Sequence, residues 1–222
     1  MRATAQPLVA ALEEAHPGYI RGTYKVIRGL ADAIVLLNPA FEATRYSAIN
    51  GFIRSRENFA KVQAPLIVTI SSEADLATEW AFPIGQSLGL ARTERERYTL
   101  GNYIPFSTHS LEERKCPSDS AGSLTEAFDV EGLCMRRCPR LTKEAPAPRV
   151  GAADLCALRG DNFVQEHNPF IVARASGSII AGHNDIWNPR FRNWLAELIA
   201  ELQKLHHAER QAASGDALVP PK

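Results

Sequence analysis

Ala64-Pro65-Leu66-Ile67-Val68-Thr69-Ile70-Ser71-Ser72-Glu73-Ala74-Asp75 is the stretch on which the reading of this chain turns. Its centre is a short run of apolar and β-branched residues with no polar alternation, the pattern of a strand covered on both faces of a sheet. It ends in a carboxylate. A second stretch, Phe170-Ile171-Val172-Ala173-Arg174-Ala175, leads through Ser176-Gly177-Ser178 into Ile179-Ile180-Ala181-Gly182-His183-Asn184-Asp185. It reads as one strand with a kink, or two strands with a turn, and its last strand ends in an imidazole. A third apolar run, residues 31–37, is stopped by Asn38-Pro39 and has the same two-face character.

Helical patterns separate these strands. Leu8, Val9 and Leu12, with Glu13 and Glu14 opposite, fit a short amphipathic helix broken by His16-Pro17-Gly18. Residues 47–62 are helix-like. After Asp75 a helix through Leu76, Trp80 and Phe82 is expected to stop at Pro83, because proline lacks the donor and clashes with the preceding turn. An amphipathic helix over 189–205, built on Phe191, Trp194, Leu195, Leu198, Ile199 and Leu202, closes the domain. Alternating strands and helices imply an α/β class, with a parallel sheet and helices on both faces.

Residues 91–167 are rich in charge, Ser, Pro and Cys and show few periodic runs. They read as a long insertion before the last strand, folded over something as a lid. Residues 1–205 then form one domain, and 206–222 a flexible tail. At 222 residues with 45% hydrophobic content, the chain can build an ordinary core without a metal or a disulfide framework.

Lys plus Arg number 25 and Asp plus Glu number 25, so no net field draws in nucleic acid or an anionic membrane. No apolar run reaches the ~18 residues of a membrane span. The expectation is a cytoplasmic protein with neither nucleic acid nor membrane as a partner. Cys116, Cys134, Cys138 and Cys156 lie within the polar segment. Their spacing is read as free thiols in a loop, with two bridges or a zinc site as alternatives. Phosphate-binding and dinucleotide patterns are missing, and no cofactor or metal is expected.

Asp75 and His183 both fall at strand ends, where ligand chemistry gathers in such sheets. A serine hydroxyl needs an imidazole to take its proton and a carboxylate to hold that imidazole in one tautomer. The two residues keep the order carboxylate, then histidine, found in one class of triads. Each also has a plain reading: Asp75 as a helix N-cap before an apolar helical run, with Thr78-Glu79 at the spacing that favours capping, and His183 as a loop histidine bonded to Asp185 or to backbone. His109 is a rival base with no strong strand before it. Gly85-Gln86-Ser87-Leu88-Gly89 satisfies Gly-x-Ser-x-Gly literally, but the elbow needs a buried strand before the serine, and Ser87 follows a helical pattern.

Leu37-Asn38-Pro39-Ala40-Phe41-Glu42-Ala43, Thr69-Ile70-Ser71-Ser72-Glu73-Ala74-Asp75-Leu76-Ala77-Thr78 and Gly182-His183-Asn184-Asp185-Ile186-Trp187 resemble the carboxyl-terminal half of esterase-like α/β-hydrolase-fold proteins. The likeness covers residues 1–202 less the insertion. It implies hydrolysis of a small-molecule carboxylic ester or amide, with Asp75 orienting His183. It also implies that the nucleophilic serine and its elbow lie upstream of Met1, that the chain is inactive alone, and that the exposed sheet edge near residues 33–37 is a place of association. The alternative is a non-catalytic interaction protein on a degenerate hydrolase fold, using residues 91–167 as its surface.

Overall fold

A computed structural model of the chain describes residues 27, 31–54, 59–60, 63–88, 93–116, 124–125, 127–138 and 166–216. The helix expected over residues 8–15 and Cys156 lie outside them. The strands are β1 (Ile34–Leu37), β2 (Ile67–Ser72), β3 (His109–Glu112), β4 (Ala127–Val130), β5 (Leu133–Arg137) and β6 (Phe170–Ala175). The helices are α1 (Ser47–Arg54), α2 (Phe82–Leu88), α3 (Glu94–Arg97) and α4 (Pro189–Asp216).

The strands form one sheet in the order β1-β2-β6-β3-β5-β4. β1, β2, β6 and β3 run parallel, while β5 is antiparallel to β3 and β4 antiparallel to β5. The α/β class therefore stands, but the sheet is mixed, not purely parallel. The polar segment is the reason. Its described residues supply β3, β4 and β5, which continue the sheet sideways, while Leu100 and Phe106 of the same segment pack over one face.

Both faces are covered. On one, Val68, Ile70, Leu111, Leu133, Met135, Ile171 and Ala173 pack against Phe191, Trp194, Leu198 and Leu202 of α4. On the other, Ile67, Phe170 and Val172 meet Ile49 and Ile53 of α1 and the loop residues Leu100 and Phe106. Full burial of such side chains stabilises by about 1.5–3 kcal/mol each, which is why the two-faced strands read as continuous apolar runs. Ile199, expected on the buried face of α4, is 42% exposed; the buried residues of that helix follow 191, 194, 198 and 202, and 199 falls off that stripe.

Three further expectations are corrected. α4 does not end near 205 but runs to Asp216, because residues expected in a loose tail dock it. His206 Nε2 donates to the Pro65 carbonyl at 2.9 Å, Glu209 Oε2 accepts from the Ala64 amide at 3.2 Å, and Arg210 pairs with Asp32.

Pro83 does not stop the helix after Asp75. A π-helical turn, Ala77–Ala81, comes first, in which the Phe82 amide reaches back five residues to the Ala77 carbonyl. The chain then passes into α2 with Pro83 in its opening turn, where a missing donor is tolerated.

The described cysteines are not free thiols. Cys116 and Cys134 form a disulfide with Cα atoms 5.1 Å apart, and Cys138 is disulfide-bonded as well. Among the described residues, no helix is long and apolar enough to cross a membrane.

Candidate active site

The end of β2 and the loop after β6 are joined residue by residue. Ser72 is level with Ala175 in the sheet register, so the two loops start side by side. The Glu73 amide donates to the Ala175 carbonyl at 3.0 Å, and the Gly177 amide donates to Glu73 Oε1 at 3.0 Å. Ser72, fully buried, donates its hydroxyl to the Ile180 carbonyl and accepts from the Ala74 amide at 3.0 Å.

The Ser72 amide in turn donates to Asn38 Oδ1 at 2.8 Å. Asn38 has a φ of 42°, a left-handed conformation that asparagine tolerates better than most residues. Its position, read from sequence only as a strand stop, also anchors the neighbouring loop.

Asp75 is fully buried. Its Oδ1 accepts from the Ala77 amide at 3.1 Å and the Thr78 amide at 3.4 Å, which is the N-cap arrangement. Its Oδ2 lies 2.8 Å from Nδ1 of His183. A carboxylate withdrawn from water needs such donors, and here three N–H groups supply them. Thr78 donates its hydroxyl to the Asp75 carbonyl at 3.3 Å and accepts from Asn102 Nδ2 at 3.2 Å. Asn102 ends a 3-10 turn, Leu100–Asn102, seated on β2.

His183 does not end a strand. β6 stops at Ala175, and Ile179 and Ile180 belong to a buried loop. That loop closes on itself. Asp185 Oδ2 accepts from the Ala181 amide at 2.8 Å and from Asn188 Nδ2 at 3.2 Å, and Asn188 Oδ1 accepts from the Phe191 amide at 2.9 Å, capping α4. Asp185 is thus engaged with the loop backbone, and His183 turns to Asp75 instead.

The His183 side chain is 51% exposed. With Nδ1–H donated to the carboxylate, Nε2 carries the lone pair. Among the described residues no group hydrogen-bonds to it. The arrangement is therefore that of an oriented base on a half-exposed ring.

The other two candidates are elsewhere. His109 is the first residue of β3, 1% exposed, with Nε2 2.8 Å from the Thr125 carbonyl and Nδ1 2.8 Å from Thr108 Oγ1. Burial, reinforced by the charge of Arg137, pushes its imidazole down to about 4 despite the bond to Thr125. It is a neutral core histidine with both nitrogens engaged. Ser87 lies inside α2, after helical residues and not after a strand, so the Gly-x-Ser-x-Gly match forms no elbow.

Among the described residues, no group of three or more His, Cys, Asp or Glu side chains is placed to hold a metal ion. No family model, curated protein or solved structure matches the chain.

Proposed function

We propose that Asp75 and His183 are the carboxylate and base of a serine-hydrolase-type site acting on carboxylic esters or amides, on an α/β-hydrolase-like sheet. The observation that carries this is the 2.8 Å contact between a buried carboxylate and Nδ1 of a half-exposed imidazole. In such a pair the carboxylate fixes the Nδ1–H tautomer and stabilises the imidazolium formed when Nε2 takes a proton. The hydroxyl that donates this proton comes from beyond the described residues. Attack of the resulting alkoxide on an ester carbonyl forms an acyl-serine bond as the proton passes from His183 to the departing alcohol. Water then repeats the sequence to release the acid.

Among the described residues no hydroxyl hydrogen-bonds to Nε2, so the pair by itself supplies general-base action on water. The chain is therefore expected to hydrolyse activated p-nitrophenyl esters slowly, without a burst, and to take up no fluorophosphonate at Ser87. Turnover should fall by about 100-fold or more in His183→Gln and in Asp75→Asn, the scale of general-base catalysis. Turnover indifferent to both substitutions removes the reading, and labelling lost in Ser87→Ala would move the nucleophile to α2.

A further inference from the structure

The Asp75–His183 contact joins two loops that have no sequence proximity, and behind it the fully buried side chain of Ser72 stands at their junction. The Ser72 hydroxyl donates its only proton to the Ile180 carbonyl, three residues before His183, and accepts the Ala74 amide, one residue before Asp75. Its own amide is held by Asn38 Oδ1 at 2.8 Å. Ser72 and Ile180 are both fully buried, so water does not replace this hydroxyl without entering the core. Among the described residues, the other polar links between the loops are the Asp75–His183 contact itself, the Glu73 amide on the Ala175 carbonyl and the partly buried Glu73 carboxylate on the Gly177 amide.

We propose that Ser72 is the positioning residue of the site: its hydroxyl sets the His183 loop against the Asp75 loop so that Nδ1, and not Nε2, meets the carboxylate. This rests on the reading of Asp75 and His183 as a working pair. Ser72 touches neither ring nor carboxylate and takes no part in proton transfer. Its effect is on which imidazole nitrogen carries the hydrogen.

Imidazole tautomers are read directly by nitrogen NMR of the chain carrying 15N-histidine, recorded in the neutral form of the ring. In the parent, His183 is expected as the Nδ1–H tautomer, and His109, donating Nε2–H to Thr125, as the Nε2–H tautomer. In Ser72→Ala the His183 ratio of Nδ1–H to Nε2–H should fall by about tenfold, the equilibrium equivalent of one buried hydrogen bond, while His109 stays unchanged.

A His183 ratio that stays at the parent value in Ser72→Ala, with His109 intact, overturns the proposal and leaves the dyad standing. Loss of the His109 signal as well means that Ser72→Ala has unfolded. Ser72→Cys then decides, since the thiol keeps the volume but donates weakly: a shifted ratio supports the assignment and an unshifted one overturns it. A parent in which His183 is already the Nε2–H tautomer removes both this inference and the functional reading beneath it.

Discussion

Oδ2 of Asp75 lies 2.8 Å from Nδ1 of His183, 108 residues further along the chain, while Oδ1 of the same carboxylate caps the turn that begins at Ala77. The cap and the histidine partner are usually rival explanations of such an aspartate, and here each takes one oxygen. The two functions separate by substitution. Asp75→Asn keeps an oxygen for the cap but presents an amide to Nδ1, which forces the wrong tautomer; ester hydrolysis should fall by about 100-fold or more while the fold is nearly kept. Asp75→Ala should be as inactive and also lose about 1 kcal/mol of unfolding free energy for the cap. Equal stability of the two variants in urea melts would show that the cap contributes nothing.

Gly101 is required by contact and not by backbone angle. A Cβ at this position would stand 1.8 Å from Ser71 Oγ and 2.0 Å from Ser71 Cβ, on the second turn of support under Asp75. Gly101→Ala should cost about 3 kcal/mol or prevent folding, at the upper end of overpacking penalties. Ser71→Gly removes both clashing atoms, so the double substitution should recover much of the loss in a double-mutant cycle. Strict additivity of the two changes would contradict the contact.

Buried His109 makes stability pH-dependent. It protonates near 6.5 when unfolded and near 4 when folded. Between those values the unfolded state holds the extra proton, so this contribution is complete above pH 6.5 and is lost as pH falls towards 4. Two to three pKa units correspond to about 3 kcal/mol. Relative to the parent, His109→Gln should show a flatter dependence of unfolding free energy across that window. Parallel profiles would place the ring in water.

The Cys116–Cys134 bridge closes a loop of 18 residues in sequence separation and ties the end of β3 to β5. Loops of that size give about 3 kcal/mol of stabilisation in the chain-entropy account. Cys116→Ala with Cys134→Ala should lower the urea midpoint accordingly, and alkylation of the native protein without reductant should leave both thiols unmodified. Rapid labelling of both would contradict the bridge.

The strands that were legible in sequence are those covered on both faces. β2 and β6 stand out as apolar runs because both of their faces are buried, and β1, partly buried at the sheet edge, has apolar neighbours on both faces. β3, β4 and β5 are four or five residues long and carry Ser, Glu, Asp and Arg, so nothing in them exceeds the background of a polar segment. Their one local signal was Glu131-Gly132, whose φ values of 53° and 73° make the tight turn between β4 and β5; glutamate is an uncommon first residue there, and the hairpin went unread. The disulfide followed the same fate, because antiparallel pairing of β3 with β5 is what brings the two cysteines together. Ser72 and Asn38 carry no motif at all: a hydroxyl at a strand end and an asparagine before proline are ordinary punctuation until the second loop is in place.

The amino-acid order alone determined that a carboxylate follows one buried strand and a histidine follows another, since apolar runs and their stops are local properties of the chain. What it left open was whether those ends meet. Tertiary structure decided this by inserting β6 between β2 and β3 and pairing Ser72 level with Ala175. Parallel strands are joined only through long connections, so their neighbours and register depend on packing over the whole sheet. That register, and the hydroxyl lodged between the two loops, set Asp75 against His183.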